Sequence, residues 1–132
     1  MPTVAEPVAE ETPAAGPLCV SVRHAGGAVV VAVAGELDML GSGDFWSAAE
    51  AAVTTAAGGT LVIDLTQVVF LDSHGLGALH RVAEAVRPHG AALRVVVGRD
   101  RPARRPIELT GLHQVLSLCD SLEEALASLS GP

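Results

Sequence analysis

The sequence predicts an α/β domain, in which a largely parallel sheet is joined by helices. From Val29 onward, apolar runs rich in β-branched residues alternate with segments whose apolar residues recur at helical spacing. Consecutive parallel strands are joined by right-handed crossovers, so adding each strand on the same side of the sheet places the helices mostly on one face. We therefore expect four to five strands, beginning with an N-terminal hairpin, and about four helices.

The first 17 residues predict a disordered tail. Residues 1–17 are rich in Pro, Ala and Glu, and such a segment cannot bury enough apolar area to offset the entropy of ordering its backbone. The rest of the chain is long enough for one domain, and 49% hydrophobic residues supply a core. We expect this domain to span residues 18–130.

The predicted elements follow from local pattern. Leu18–Val22 and Val29–Ala34 read as two strands joined by a turn at Gly26-Gly27, which makes a hairpin. Glycine or proline ends most of the later elements, and Ser121 with Glu124 has the spacing of a capping box before a terminal helix. The remaining strands are expected at Leu61–Leu65, Ala91–Gly98 and Val115–Leu118, and the other helices at Asp44–Ala57, His74–Arg87 and Ile107–Leu109.

Composition excludes several function classes. The net charge of −7 opposes a general affinity for nucleic acid or anionic membranes and suits a basic partner face. No stretch resembles a signal peptide or a membrane span, which predicts a cytoplasmic protein in which Cys19 and Cys119 stay reduced. The five histidines are scattered and no Cys-x-x-Cys occurs, so we expect neither a metal nor a cofactor.

The stretch from Val68 to Leu79 marks a strand that becomes a helix. Asp72 and Ser73 fall at the junction, where either side chain can cap the free N–H groups of the helix. Gly75 and Gly77 leave the first turns without side chains, so another backbone or another protein can approach closely there.

Three motifs in order resemble the STAS domain of bacterial anti-sigma factor antagonists. They are the run Phe70 to Leu79, Gly35-Glu36-Leu37-Asp38 before it and Leu109-Thr110-Gly111-Leu112 after it. The resemblance covers about Val20 to Leu129 and implies a STAS-type sheet. In that family the serine directly after the aspartate, here Ser73, is phosphorylated by a cognate anti-sigma factor serine kinase.

The resemblance implies a regulator without enzyme activity of its own. Unphosphorylated, it binds the anti-sigma factor and releases a sigma factor; phosphorylation of Ser73 ends binding, and a PP2C-type phosphatase resets the switch. At His74 the family usually has Ser or Thr, so this residue departs from the pattern. The partner-binding residues expected from this reading are Asp38, Asp72, Ser73, His74, Gly75, Leu76 and Gly77.

Each of these residues also has a purely structural interpretation. Ser73 and Asp72 can serve only as helix caps, and Asp38 can simply bind backbone in a turn. A Ser-His-Asp hydrolase is disfavoured because the adjacent His74 should point along a different helical direction from Ser73. Gly75-Leu76-Gly77 lacks the third glycine of a dinucleotide fingerprint.

Two further interpretations stay open from the sequence. Arg99, Arg101, Arg104 and Arg105 suggest phosphate or nucleic acid binding, but a solvated loop fits an acidic chain with few aromatic residues better. The alternative functions are a STAS module in another signalling assembly or beside a transporter, and a small nucleotide-binding protein, because fold alone does not decide function.

Overall fold

The structure is a computed structural model and describes residues 18–127. The predicted tail, residues 1–17, and the last predicted domain residues, 128–130, lie outside the described residues.

Five strands form one sheet in chain order. The first two strands pair antiparallel as the predicted hairpin, and every later pair is parallel. The fold class is therefore confirmed. The strands are β1 (Leu18–Ala25), β2 (Ala28–Leu37), β3 (Thr60–Leu71), β4 (Ala92–Val96) and β5 (Leu118–Cys119).

Three of the four described helices cover one face of the sheet. The helices are α1 (Ser42–Thr55), α2 (Ser73–Ala85), α3 (Arg104–Leu109) and α4 (Leu122–Ala127), with a 3₁₀ turn at Leu112–Gln114. Phe45 of α1, Leu79 of α2 and Ile107 of α3 are fully buried in the large core of this front face. On the back face, α4 packs Ala125 against a smaller core that contains Val30 and Val62.

Strand β3 is longer than predicted because two bulges interrupt its alternation. Between Asp64 and Gln67, and again between Val68 and Phe70, β3 carries one residue more than β2 opposite it. The Asp64 carboxylate stabilises the first bulge by accepting bonds from the N–H and hydroxyl of Thr66, at 3.0 and 2.8 Å. The β2–β3 pair thus extends beyond the end of β4, and α2 begins at its far tip.

The segment after β4 differs most from expectation. Helix α3 begins at Arg104, three residues before the predicted start. Pro106 is tolerated because it falls in the first turn, where a backbone N–H would have no acceptor within the helix. Residues 115–117 form no strand, and β5 is limited to Leu118–Cys119. The Ser121 capping box is present: its hydroxyl accepts from the N–H of Glu124 at 3.0 Å.

The interpretation of the arginine cluster as a solvated loop is wrong for Arg104. This side chain is only 20% exposed and donates to Asp120 at 2.8 Å, to Glu108 at 3.2 Å and to the Val97 carbonyl at 3.3 Å. Arg99 is largely exposed and bonds the second oxygen of Asp120 at 3.0 Å. Arg104 therefore ties α3 to the start of the β5–α4 connection.

Candidate functional site

Asp72, not Ser73, caps helix α2. Its side chain accepts hydrogen bonds from the N–H groups of His74, at 2.9 Å, and Gly75, at 3.2 Å. The backbone N–H of Asp72 donates to the Leu37 carbonyl at 3.3 Å, which fixes the start of the helix against the end of β2. Of the two capping side chains that the sequence left open, Asp72 is therefore the one that caps the helix.

Because Asp72 caps the helix, the Ser73 hydroxyl is left without that role. Ser73 is the first residue of α2 and is exposed to solvent. Its hydroxyl makes no hydrogen bond to another residue within 18–127. A free, exposed hydroxyl at a helix N-terminus is accessible to a phosphoryl donor, and a phosphate placed there is favoured by the helix dipole.

The charge of Asp72 is stabilised by its surroundings. Desolvation acts to raise the pKa of Asp72, but the hydrogen bonds from Gly75 and His74 and the nearby His74 ring outweigh it and hold the pKa below its usual value of 3.8. The Nδ1 atom of His74 lies 3.6 Å from an Asp72 carboxylate oxygen. The Nδ1 edge of the imidazole is therefore directed toward Asp72.

Asp38 organises the turn between β2 and α1. Its carboxylate accepts from the N–H groups of Leu40 and Gly41, both at 3.1 Å, and its carbonyl accepts from the N–H of Ser42 at 2.8 Å. The following Met39 and Leu40 are left exposed at 62% and 79%. Asp38 thus acts in the turn, and it positions an exposed apolar loop.

The two glycines of the motif face opposite environments. Gly75 is buried, and a Cβ added there would collide with the Leu37 carbonyl and the Leu71 side chain. A Cβ on Gly77 would meet nothing within 4 Å. Gly75 therefore allows α2 to pack on the sheet, whereas Gly77 leaves open surface. Leu76 is half-buried and packs against the front core.

Ser73 opens onto a shallow groove between the N-terminal halves of α1 and α2, which we call the Ser73 groove. Arg81 lies at its other end, and its guanidinium carbon stands 4.0 Å from the ring centroid of Trp46 on α1, a cation–π contact. Ser73, Gly77 and Arg81 are four residues apart, so they form one stripe along α2. The lining residues are Ser42, Gly43, Ser73, His74, Gly77, Ala78 and Arg81.

Sequence reasoning missed four residues of this region. Ser42, Gly43 and Trp46 belong to α1, and only the packing of α1 on α2 brings them to the groove. Arg81 had a local signal, because its spacing of eight from Ser73 places both on one helix face. Of the predicted residues, Ser73, His74 and Gly77 line the groove, and Asp38, Asp72, Gly75 and Leu76 support it from outside its lining.

Between residues 18 and 127, no three His, Cys, Asp or Glu side chains come together in a way that could hold a metal ion. Nor does a helix in that range have the length and hydrophobicity needed to cross a membrane.

The fold and the family comparison define the class of this protein. A family model described as "Mlab, STAS domain" matches residues 20–123. The chain belongs to the STAS domain family, and the resemblance noted from the three motifs is confirmed.

Particular relatives narrow the class. The chain is 33% identical, over 86% of its length and 91% of the relative's, to "Anti-sigma-F factor antagonist RsfB" of Mycobacterium tuberculosis. A crystal structure of an anti-sigma factor antagonist from Mycobacterium paratuberculosis superposes with a TM-score of 0.78 at 34% identity, covering 86% of this chain and 95% of that one. The unphosphorylated form of SpoIIAA shares the fold, with a TM-score of 0.69 at 18% identity over 86% of this chain and 97% of that one.

Proposed function

We propose that this protein is an anti-sigma factor antagonist whose unphosphorylated form binds an anti-sigma factor serine kinase and thereby releases a sigma factor. The observation that carries the proposal is the free hydroxyl of Ser73, which is exposed at the start of α2 because Asp72 caps the helix. The similarity to mycobacterial relatives named as anti-sigma factor antagonists supports the same role.

The surface around Ser73 suits a protein partner. Met39 and Leu40 are exposed in the loop that leads to the groove, and Phe70 is half-exposed two residues before Asp72. Exposed apolar side chains gathered beside a polar group are typical of interaction surfaces. The expected partner-binding set keeps Asp38, Asp72, Gly75 and Leu76 as residues that shape this surface, and Ser73, His74 and Gly77 as residues that can touch the partner.

Phosphorylation of Ser73 turns binding off. The Ser73 oxygen attacks the γ-phosphorus of ATP held by the partner, the bond to ADP breaks, and the hydroxyl proton passes to a base of the partner. The product carries about −1.5 to −2 charges beside Asp72. This charge is compatible with the helix N-terminus, but it repels acidic groups of the partner and must be desolvated on docking.

The remaining parts of the proposal follow from this switch. The catalytic groups belong to the kinase and to a PP2C-type phosphatase that removes the phosphate, so the domain itself is not an enzyme, and it acts in the cytoplasm with those partners. The alternative is a STAS module that serves another signalling assembly or a transporter.

Intact-mass spectrometry tests the proposal. Wild type, Ser73→Ala and the control Ser47→Ala, which removes an exposed hydroxyl on α1, are incubated with ATP and each anti-sigma factor kinase of the source genome. We expect one phosphate on wild type and Ser47→Ala, none on Ser73→Ala, and loss of a previously formed complex on modification. If no such kinase binds or modifies wild type, the antagonist role is wrong and the alternative stands.

A further inference from the structure

We infer that Arg81 is the residue by which the Ser73 groove recognises its partner, and that it pairs with a carboxylate on the anti-sigma factor. This inference rests on the proposed function, because the partner is the kinase that modifies Ser73. It adds the chemistry of the contact and assigns it to a residue outside the family motif.

The Arg81 guanidinium is exposed on α2 and stacks on an aromatic ring. No ion pair joins it to an Asp or Glu within residues 18–127, where Arg99 and Arg104 both have one. Its only described contact is the Trp46 ring at 4.0 Å. Stacking on that ring leaves the guanidinium N–H groups free to donate, and an arginine fork binds a carboxylate with two parallel hydrogen bonds.

The cation–π contact also prepares Arg81 for binding. A free arginine side chain loses rotamer entropy when a partner fixes it, and this loss reduces affinity. Because the Trp46 ring already restricts the guanidinium, less entropy remains to be lost on docking. Trp46 itself is half-buried against the front core, so the platform is part of the folded domain.

The shape of the groove allows a partner chain to reach Arg81 and Ser73 together. Gly43 and Gly77 lie between the two ends, and a Cβ on either would meet nothing within 4 Å. Eight residues of α-helix separate Ser73 and Arg81 by ~12 Å along the axis. That span places Arg81 beyond the reacting phosphate and within reach of a second partner residue.

The local charge selects an acidic group. None of the seven lining residues is acidic, and Arg81 is their one fixed cation, although the chain as a whole carries a net charge of −7. An acidic partner side chain is therefore attracted to the groove and repelled by most of the remaining surface, which fixes the register of docking. Phosphorylation of Ser73 adds negative charge to the same groove and opposes that carboxylate, so the inference also accounts for release.

The test measures dissociation constants with the kinase that phosphorylates wild-type Ser73, using unphosphorylated protein without nucleotide. We expect Arg81→Gln to weaken binding about tenfold and Arg81→Glu to weaken it further. The matched control is Arg87→Gln, which removes the same charge just after α2 and outside the groove; its affinity should stay within about twofold of wild type, as for a charge remote from the interface. Thermal unfolding midpoints of the Arg81 variants should fall by no more than the few degrees that loss of the cation–π contact explains, and Arg87→Gln should match wild type, which separates recognition from folding.

A charge exchange identifies the opposing group. Among Asp→Arg and Glu→Arg variants of the kinase, one should restore binding to Arg81→Glu while binding wild type poorly. The carboxylate assignment is overturned if Arg81→Gln binds within about twofold of wild type, or if it loses affinity only when ATP is present, which would assign Arg81 to a nucleotide phosphate. If no kinase binds wild type, the proposed function itself is wrong and this inference falls with it.

Discussion

Two glycines two residues apart in α2 serve different purposes. Gly75 has no room for a side chain, because the Leu37 carbonyl and the Leu71 side chain occupy the space, whereas Gly77 faces open surface. The sequence singles out both equally, since neither local pattern nor spacing distinguishes a residue that faces the sheet from one that faces solvent. Their substitution by alanine should therefore have opposite effects on stability.

Gly75→Ala should lower the free energy of unfolding by about 1–3 kcal/mol, because the added methyl forces α2 away from the ends of β2 and β3. Gly77→Ala should raise it by ~0.5–1 kcal/mol, since alanine restricts the unfolded chain and favours helix. Urea denaturation of both variants measures the two changes. Equal midpoints for the two variants would contradict the packing described for Gly75.

The lowered pKa of Asp72 makes its contribution to stability depend on pH. A carboxyl group whose pKa falls on folding stabilises the folded state above its unfolded value, here 3.8, and loses that stabilisation as the pH drops through the folded pKa. Asp72→Asn keeps a capping oxygen and removes the charge. Wild type should therefore lose stability relative to Asp72→Asn as the pH falls below 3.8. Urea titrations across this range measure the gap, and a gap that does not vary with pH would refute the expectation.

At the scale of elements, the Arg104 side chain links three segments of the chain that are joined by little regular secondary structure. It bonds the Val97 carbonyl after β4, Glu108 within α3 and Asp120 after β5. Since β5 has only two residues, these side-chain bonds add to a short ladder in holding the last strand in place.

Arg104→Ala should destabilise the domain by ~1.5–3 kcal/mol, because it removes charge-assisted bonds and takes the side-chain donor from the Val97 carbonyl. Arg105→Ala is the matched control. The Arg105 side chain is next to Arg104 in the sequence but is exposed, and its loss should change the free energy of unfolding by less than about 0.5 kcal/mol. The measurement is the urea midpoint of each variant. Similar midpoints for the two would show that the Arg104 bonds contribute nothing.

Element prediction from the sequence succeeded where burial repeats regularly and failed where it does not. Phe45, Ala49, Ala52 and Val53 show helical spacing within α1 itself, so that helix was predictable from local pattern. Because of the two bulges, the inward-facing residues of this part of β3 are Leu65, Val68 and Leu71. Their spacing of three differs from the two-residue alternation by which strands are predicted. For that reason the sequence ended this strand six residues early.

The candidate site was also predictable only where local pattern determines it. The position of Ser73 at the start of a helix follows from its own neighbours, so the sequence predicted it. The wall formed by Ser42, Gly43 and Trp46 depends on how α1 packs against α2, a contact between elements that no local pattern records. Sequence reasoning therefore located Ser73 and missed the surface beside it.

For the whole molecule, the proposed phosphorylation site lies outside the buried cores. Ser73 is exposed, and the carbonyl and carboxylate groups that fix the start of α2 come from Leu37 and Asp72. A phosphate on Ser73 adds charge at a helix N-terminus without entering either core.

Phosphorylated protein should therefore keep the unfolding midpoint of the unmodified protein or exceed it slightly, because the phosphate meets the positive end of the α2 dipole, an effect of about 0.3–1 kcal/mol. Thermal unfolding followed by circular dichroism, with Ser73→Ala treated in parallel, provides the measurement. A large drop in the midpoint would mean that the switch acts by unfolding α2.

The position of α4 on the back face has a consequence for folding during synthesis on the ribosome. Val30 and Val62 are fully buried in the finished domain, yet their cover is α4, which is the last described element to be synthesised. Leu126 of α4 even approaches the β1–β2 turn at Gly26, so the latest part of the domain closes over the earliest. Until α4 has been synthesised, Val30 and Val62 remain exposed on the back face of the nascent sheet. They form an apolar surface that a ribosome-associated chaperone would contact before α4 covers it.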